Sequence, residues 1–171
     1  SAGATANVSV ASGFVATSGT TNSGTVNLTA GSNGTTIDMT LSSAGAYTLI
    51  GGAGTDILKG GSGADNFTIS TAGEGNSDTF DGLTGSDILN LSSGAHVFSA
   101  DSKILNIETI VLNSSGSSLN ISGQTENFII TGGAGVDTIT GGSGADIITG
   151  GGGDDTISGG AGADTFNIDS G

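Results

Sequence analysis

The chain has 171 residues, of which 34 are glycine and none is proline or cysteine, and its formal net charge is −14 because 16 acidic residues outnumber two basic ones. This charge excludes the basic surface that nucleic acid binding requires and disfavours anionic membranes, so neither is an expected partner. The absence of cysteine excludes thiol catalysis and thiolate metal sites, and no apolar run approaches the length of a membrane span.

Residues 1–50 are predicted to form the first, acid-poor strands of a repetitive β-structure. Short apolar and β-branched runs (VSV, FVA, VNL and TIDMTL) alternate here with Gly, Ser, Thr and Asn. Their spacing drifts, and no segment has the period of a helix. The chain also begins without an initiator Met or a signal-peptide pattern, so we expect it to be an excerpt of a longer protein.

Residues 51–90 introduce a nine-residue period. Residues 51–59 (GGAGTDILK) and 60–68 (GGSGADNFT) share three glycines and an aspartate at fixed offsets, and residues 82–90 (GLTGSDILN) keep every feature except the second glycine. The stretch between these blocks has no full loop and is predicted to be an irregular closing turn. Stepping one 18-residue turn forward from Asp56 places Glu74 above it.

Residues 91–131 lack the Gly-Asp loops but are predicted to continue the strands. Counting back in steps of nine residues from the apolar position eight of the following block reaches further apolar residues, and the same is true upstream of Leu58. The residues reached are Ile130, Ile121 and Leu112 from Ile139, and Leu49 from Leu58.

Residues 132–171 hold four blocks in tandem, at 132–140, 141–149, 150–158 and 159–167. Position eight of every block is large and apolar, whereas positions seven and nine are mostly Thr, Ser or Asn, so alternation sends position eight inward. Position eight is occupied by Leu58, Phe67, Leu89, Ile139, Ile148, Ile157 and Phe166. Ile57, Ile88 and Ile147 at position seven depart from this rule, and we expect a neighbour to cover them.

One strand and one tight turn repeated at a short fixed period predict a continuous parallel β-solenoid. Two blocks, one on each side, would make a turn of about 18 residues. Rungs roughly 4.8 Å apart would give a flattened rod on the order of 45 Å long.

In such a solenoid the aspartates at position six lie above one another. Asp137 would stack on Asp155, and Asp146 on Asp164, and paired carboxylates repel unless a cation lies between them. Calcium suits this environment because it accepts six to eight oxygens from carboxylates and backbone carbonyls. Glycine readily adopts the positive φ values that would turn successive carbonyls toward one point.

The nonapeptide G-G-x-G-x-D-x-U-x, where U is large and apolar, resembles the calcium-binding repeat of RTX proteins. The resemblance implies an all-β, right-handed parallel β-roll that holds several Ca²⁺ ions between loops of successive turns. It makes residues 51–90 and 132–171 two calcium clusters, and residues 1–50 and 91–131 calcium-poor or calcium-free rungs. The implied ligands are the aspartates Asp56, Asp65, Asp87, Asp137, Asp146, Asp155 and Asp164, and the carbonyls of Gly133, Gly135, Gly142, Gly144, Gly151, Gly153, Gly160 and Gly162. Asp78 and Asp81 are open as further members of the first cluster.

The remaining chemistry-bearing residues predict no catalytic site, and we expect the chain not to be an enzyme. Its single histidine, His96, cannot form an HExxH zinc site, and no GxSxG motif occurs. Four acidic residues outside position six are predicted to be surface charges, namely Asp38, Asp101, Asp154 and Asp169.

The RTX resemblance also implies secretion through a type I exporter and folding outside the cell. Three functions remain open: a structural module of a surface layer or adhesin, the C-terminal roll of a secreted protease or lipase, and a segment of a toxin. Because calcium clusters alternate with long Ser/Thr/Asn-rich rungs, we favour a surface-layer (S-layer) protein of a Gram-negative bacterium. Its expected partners are calcium and copies of itself or of its parent.

Overall fold

The computed structural model describes residues 5–21, 24–42, 45–113 and 115–167, and these residues form short β-strands joined by glycine-rich turns. Two 3-10 turns, at Glu74–Ser77 and Asp101–Lys103, are the helical elements of this part of the chain. The strands in chain order are β1 (Thr5–Val10), β2 (Phe14–Val15), β3 (Thr25–Ala30), β4 (Thr36–Asp38), β5 (Tyr47–Ile50), β6 (Ile57–Lys59), β7 (Asn66–Ile69), β8 (Thr79–Asp81), β9 (Ile88–Leu91), β10 (Gly94–Val97), β11 (Ile104–Leu105), β12 (Thr109–Leu112), β13 (Ser117–Asn120), β14 (Ile129–Thr131), β15 (Thr138–Thr140), β16 (Ile147–Thr149), β17 (Thr156–Ser158) and β18 (Thr165–Asn167).

The strands build a parallel β-solenoid with two long faces. One face is a single nine-stranded sheet in the order β1-β3-β5-β7-β9-β12-β14-β16-β18. The other face consists of a five-stranded sheet, β2-β4-β6-β8-β11, followed by a four-stranded sheet, β10-β13-β15-β17. The segment between β9 and β12 contributes to both smaller sheets, because β11 ends the first and β10 begins the second. At the usual strand spacing, the nine-stranded sheet extends about 40 Å.

The core is a narrow apolar layer between the two faces. Position-eight side chains alternate inward from both sheets, and those of Leu58, Phe67, Leu89, Ile139 and Ile148 are almost completely buried. Phe80 lies against two other rings of this layer, with edge-to-face contacts to Phe67 at 6.0 Å and Phe98 at 6.2 Å between ring centroids. The predicted inward direction of position eight is confirmed, except that Phe166 in the last described strand is 46 % exposed.

The described residues of the chain do not cover the position-seven isoleucines. Ile57 is 40 % exposed and Ile147 is 41 % exposed, and Ile88 is only partly buried. A strand places consecutive side chains on opposite faces, so these residues must point outward when position eight fills the core.

The predicted 18-residue turn holds for the second calcium cluster but not for most of the chain. Thr138 pairs with Thr156, 18 residues later, whereas Leu119 pairs with Ile139 and Ile110 with Ile130, each 20 residues later. The ninefold step predicts that Ile121 lies one turn before Ile139 and that Leu112 lies one turn before Ile130. Both predicted pairings are wrong, although Ile121 and Leu112 are buried. Each longer turn lacks at least one of the two glycine loops that set the 18-residue length.

Within the described residues, no helix has the length and hydropathy needed to cross a membrane.

Candidate metal centre

The aspartates at position six lie one above another along the edges of the solenoid. The backbone amide of Asp137 donates a 2.8 Å hydrogen bond to Oδ1 of Asp155, and the amide of Asp146 donates a 3.0 Å bond to Oδ1 of Asp164. Asp137 and Asp146 are fully buried, and their partners are half-buried. The predicted stacking of these two pairs is confirmed.

The second oxygen of each buried repeat carboxylate closes its own loop. The amide of Gly133 donates to Oδ2 of Asp137 at 2.8 Å, and that of Gly142 donates to Oδ2 of Asp146 at 3.1 Å. Gly52 with Asp56 and Gly61 with Asp65 repeat this bond, both at 2.9 Å. Each carboxylate thus fixes the shape of its loop and ties that loop to the preceding turn.

In the first cluster, the residue one turn after Asp56 is Asp78, and the prediction of Glu74 is wrong. The Asp56 amide donates to Oδ1 of Asp78 at 2.8 Å, 22 residues later. The turn is longer than 18 residues because the 3-10 turn that begins at Glu74 is inserted in it. Asp78 stands two residues before the buried Phe80, which is the D-x-U spacing of a repeat without its glycines.

The same cluster continues along the other edge through Asp87 to an acid that the sequence analysis missed. The Asp65 amide donates to Oδ1 of Asp87 at 2.7 Å, and the Asp87 amide donates to Oε2 of Glu108 at 2.7 Å. Glu108 precedes the buried Ile110 by two residues, so the same spacing could have revealed it. Asp81 does not join this series.

We call each series of amide-to-carboxylate bonds a carboxylate column. Every column begins with a residue that has no carboxylate but whose amide donates to the first acid. The described residues contain four columns: Thr35–Asp56–Asp78, Tyr47–Asp65–Asp87–Glu108, Ser117–Asp137–Asp155 and Phe128–Asp146–Asp164.

Two buried carboxylates of the first cluster are incompletely bonded. Oδ2 of Asp78 and Oδ2 of Asp87 have no hydrogen-bond partner, although both side chains are about 1 % exposed. Burial raises the pKa of Asp78 to about 6, and the charge of Asp56 adds to the shift. Burial likewise raises the pKa of Asp87 to about 6, reinforced by the charges of Asp65 and Glu108. Such oxygens would be stabilised by a bound cation.

The loop glycines serve two different purposes. Gly151, Gly153, Gly160 and Gly162 have φ values between +93° and +115°, as the sequence analysis expected. The other four predicted ligand glycines, Gly133, Gly135, Gly142 and Gly144, do not have positive φ values. A side chain on Gly142 would instead lie 2.6 Å from the carbonyl oxygen of Gln124 on the preceding turn. Close approach of stacked backbones is therefore the second reason for glycine. The carbonyls of Gly133 and Gly142 accept bonds from the next turn, from Gly152 at 2.9 Å and Ala161 at 3.0 Å.

The donor set fits a hard cation that is held mainly by backbone oxygens. No group of three or more His, Cys, Asp or Glu side chains in the described part of the chain could hold a metal by itself. Successive acids of a column bring two carboxylates close to each other, and the loop carbonyls are the remaining oxygens nearby. Calcium accepts such mixed sets in flexible geometry. The position-six aspartates would hold it, and its charge would remove their repulsion.

The acids outside position six lie on the surface where the structure describes them. Asp38 is 3.7 Å from the ammonium of Lys59, Asp101 accepts a 2.8 Å bond from the Thr125 amide, and Asp154 is exposed. Asp169 lies outside the described residues.

His96, which the sequence analysis left without a role, is buried in the core. It is in register with Leu119 of the next turn, so it occupies the inward, position-eight place of its strand. Its Nε2 lies 2.9 Å from the carbonyl oxygen of Ser92, and its Nδ1 has no partner. Burial lowers the pKa of this imidazole.

A parallel β-roll with stacked glycine loops and paired carboxylates defines a class of calcium-loop solenoids. The sequence model of the RTX calcium-binding nonapeptide repeat matches residues 43–68, 72–95 and 131–166, in four copies that together cover half of the chain. The chain therefore belongs to the RTX calcium-binding repeat family and is a calcium-binding β-roll, of a kind typical of secreted extracellular proteins. Comparison with curated proteins and with solved structures found no match.

Proposed function

We propose that the chain is a calcium-dependent structural domain of a secreted bacterial surface protein, an S-layer lattice protein of a Gram-negative cell. In this proposal it leaves the cell through a type I exporter, folds outside on binding Ca²⁺, associates with copies of itself or its parent, and catalyses no reaction.

The carboxylate columns are the observation that carries the calcium-dependent part of this proposal. They bury several aspartates of a chain whose net charge is −14. Without a cation the folded state must either keep these charges adjacent or protonate them. An extracellular, calcium-rich medium removes that cost because a ligand that binds only the folded state stabilises it.

The calcium-poor rungs support a structural role in which the solenoid itself is the functional part of the protein. Between the two clusters, β12 and β14 continue the same nine-stranded sheet. A cap beside a globular enzyme would need no such extension, and within the described ranges no three His, Cys, Asp or Glu side chains are grouped so that they could hold a metal ion.

Outward-facing isoleucines support lateral contact between copies. Ile129 and Ile147 are in register on the nine-stranded sheet and are 47 % and 41 % exposed. Neighbouring exposed aliphatic side chains favour association, and calcium would offset the repulsion between two acidic rods.

The calcium requirement is tested by circular dichroism in chelator and during calcium titration. We expect little strand signal in EDTA and a folding transition near millimolar calcium, as extracellular sites have Kd values of about 10⁻⁴–10⁻³ M. Magnesium at the same ionic strength is the control. An unchanged strand spectrum in EDTA would contradict the proposal.

Self-association is tested by light scattering and electron microscopy of the chain and its parent, with and without calcium. We expect sheets or higher oligomers only with calcium, and fewer in the double variant Ile129→Thr/Ile147→Thr. Ile57→Thr is the matched control, because it makes the same change at position seven of the opposite face. A monomer at all calcium levels, above all one that hydrolyses protein or lipid, would favour a secreted enzyme instead.

A further inference from the structure

The turn after residues 82–87 contains no nonapeptide repeat, yet its oxygens are placed as in the repeats. In the tandem blocks, the first glycine of a loop lies between Oδ2 of its own aspartate and the carbonyl oxygen of the glycine one turn later. Gly141 shows this arrangement with Asp146 and Gly159. A side chain on Gly82 would overlap Oδ2 of Asp87 and the carbonyl oxygen of Asn106 in the same way.

Asp87 differs from the repeat aspartates in lacking the bond that closes the loop. The second glycine of its block is replaced by Leu83, whose amide donates to Oδ1 of Asp81 at 3.2 Å instead. Oδ2 of Asp87 is consequently without a hydrogen-bond partner, and the side chain is 1 % exposed. A buried carboxylate oxygen in this state requires a proton or a cation.

Glu108 supplies a second carboxylate from the solvent side. Its Oε2 accepts the Asp87 amide at 2.7 Å, and its side chain is exposed. The place therefore combines a buried unpartnered carboxylate, an accessible carboxylate and the carbonyl of Asn106. These are hard oxygen donors of the types that calcium accepts.

We propose that Asp87, Glu108 and the carbonyl of Asn106 form a further calcium site, which joins a repeat loop to the repeat-free turn at residues 106–108. The site extends the first calcium cluster one turn beyond Asp87 and past residue 95, where the match of this cluster to the repeat family ends. It rests on the proposed calcium-dependent function but needs only that the repeat loops bind calcium.

The test is the number of calcium ions bound per chain, measured by equilibrium dialysis and by isothermal titration calorimetry with CaCl₂. Glu108→Gln retains an oxygen that can accept the Asp87 amide but loses the charge, and we expect one ion fewer or a site weakened at least tenfold. Glu126→Gln is the matched control, because it removes the same charge from the same repeat-poor stretch, and it should bind as many ions as the wild type. Equal binding by the wild type and both variants would overturn the proposal.

A second measurement uses the wild type and therefore tests the site even if Glu108→Gln fails to fold. Crystals of the wild type grown with calcium and soaked in Tb³⁺ should give an anomalous peak beside Oδ2 of Asp87. Peaks at the tandem repeats without one there would overturn this site and leave the proposed function intact. A chain that binds no calcium at all would overturn both.

Discussion

The backbone amide of Asp137 and the carboxylate of Asp155 are joined by a 2.8 Å hydrogen bond that spans one full turn of the solenoid. The acid of one turn thus completes the hydrogen bonding of the turn before it. This relationship recurs in every carboxylate column, so a position-six aspartate stabilises the fold as well as offering oxygens to calcium.

Replacing Asp146 should therefore damage the protein far more than replacing Asp154. Asp146→Ala removes the acceptor of the Phe128 amide at 2.8 Å and of the Gly142 amide at 3.1 Å. Each buried amide left without an acceptor costs about 1–3 kcal/mol. Asp154 is exposed, and Asp154→Ala should change stability by less than about 0.5 kcal/mol.

Denaturant unfolding and calcium titration of both variants measure this difference. Asp146→Asn, which keeps one oxygen acceptor but not the charge, separates lost hydrogen bonding from lost calcium affinity. Equal affinities of Asp146→Ala and Asp154→Ala would mean that the register of the columns is incorrect.

The calcium-free protein should lose stability as the pH rises from about 4 to 6. The pKa of Asp87 is about 6 in the folded chain against an ordinary 3.8, so over this interval the folded state holds a proton that the unfolded state has released. Unfolding is then increasingly favoured with rising pH, by on the order of 2 kcal/mol for this group. In EDTA the strand signal in circular dichroism should therefore be larger at pH 4 than at pH 6, and this difference should be smaller for Asp87→Asn than for the wild type, whereas parallel curves would contradict the shift.

His96 should give a pH dependence of the opposite sign. Burial lowers its pKa below the ordinary 6.5, so the unfolded chain takes up the proton first and stability is lost as the pH falls below that value. With saturating calcium, the melting temperature of His96→Leu relative to that of the wild type should rise as the pH is lowered from 7.5 to 5. Val97→Thr changes the exposed neighbouring residue and is the control, and its melting temperature relative to the wild type should not change with pH. A pH-independent difference for His96→Leu would place the imidazole in solvent.

Leu83→Gly should stabilise the protein, and Asn106→Gly should not. Leu83 has a φ of +66°, which costs a side-chain-bearing residue about 1–2 kcal/mol, and glycine's extra chain entropy cancels part of the gain. Asn106, at φ +52°, tolerates this region better and donates from Nδ2 to Asp81 at 2.7 Å. Thermal unfolding with calcium should show a rise for Leu83→Gly alone, and a fall there would refute the strain.

The sequence predicts the fold most accurately where glycine controls the turn. From residue 132 to residue 167 the loops have equal length, so one period fixes strand, core and carboxylate together, and Asp137 and Asp146 stack as expected. Elsewhere the turn length is set by which side chains fill the core. The 3-10 turn at Glu74–Ser77 lengthens one turn by several residues, which a search for a constant period cannot detect.

The acids that lie outside the repeat consensus share a second cause. Asp78, which the sequence left open, and Glu108, which was missed, occupy position six without a glycine loop, so the consensus does not include them. What they retain is the distance of two residues to a buried apolar side chain, Phe80 or Ile110. That spacing follows from strand alternation and survives any change in the loop. His96 was missed because its register, rather than its chemistry, places it in the core.

The columns also give the rod a direction. Every bond in them runs from an amide to an acid of the following turn, as from Ser117 to Asp137 and from Phe128 to Asp146. Removing a turn from the N-terminal side leaves the remaining amides of the columns with their carboxylate acceptors. Removing a turn from the C-terminal side takes the acceptor from the amide of the turn before it. Proteolysis from the C-terminal end would therefore weaken the columns turn by turn, whereas proteolysis from the N-terminal end would leave the carboxylate bonds of the remaining turns intact.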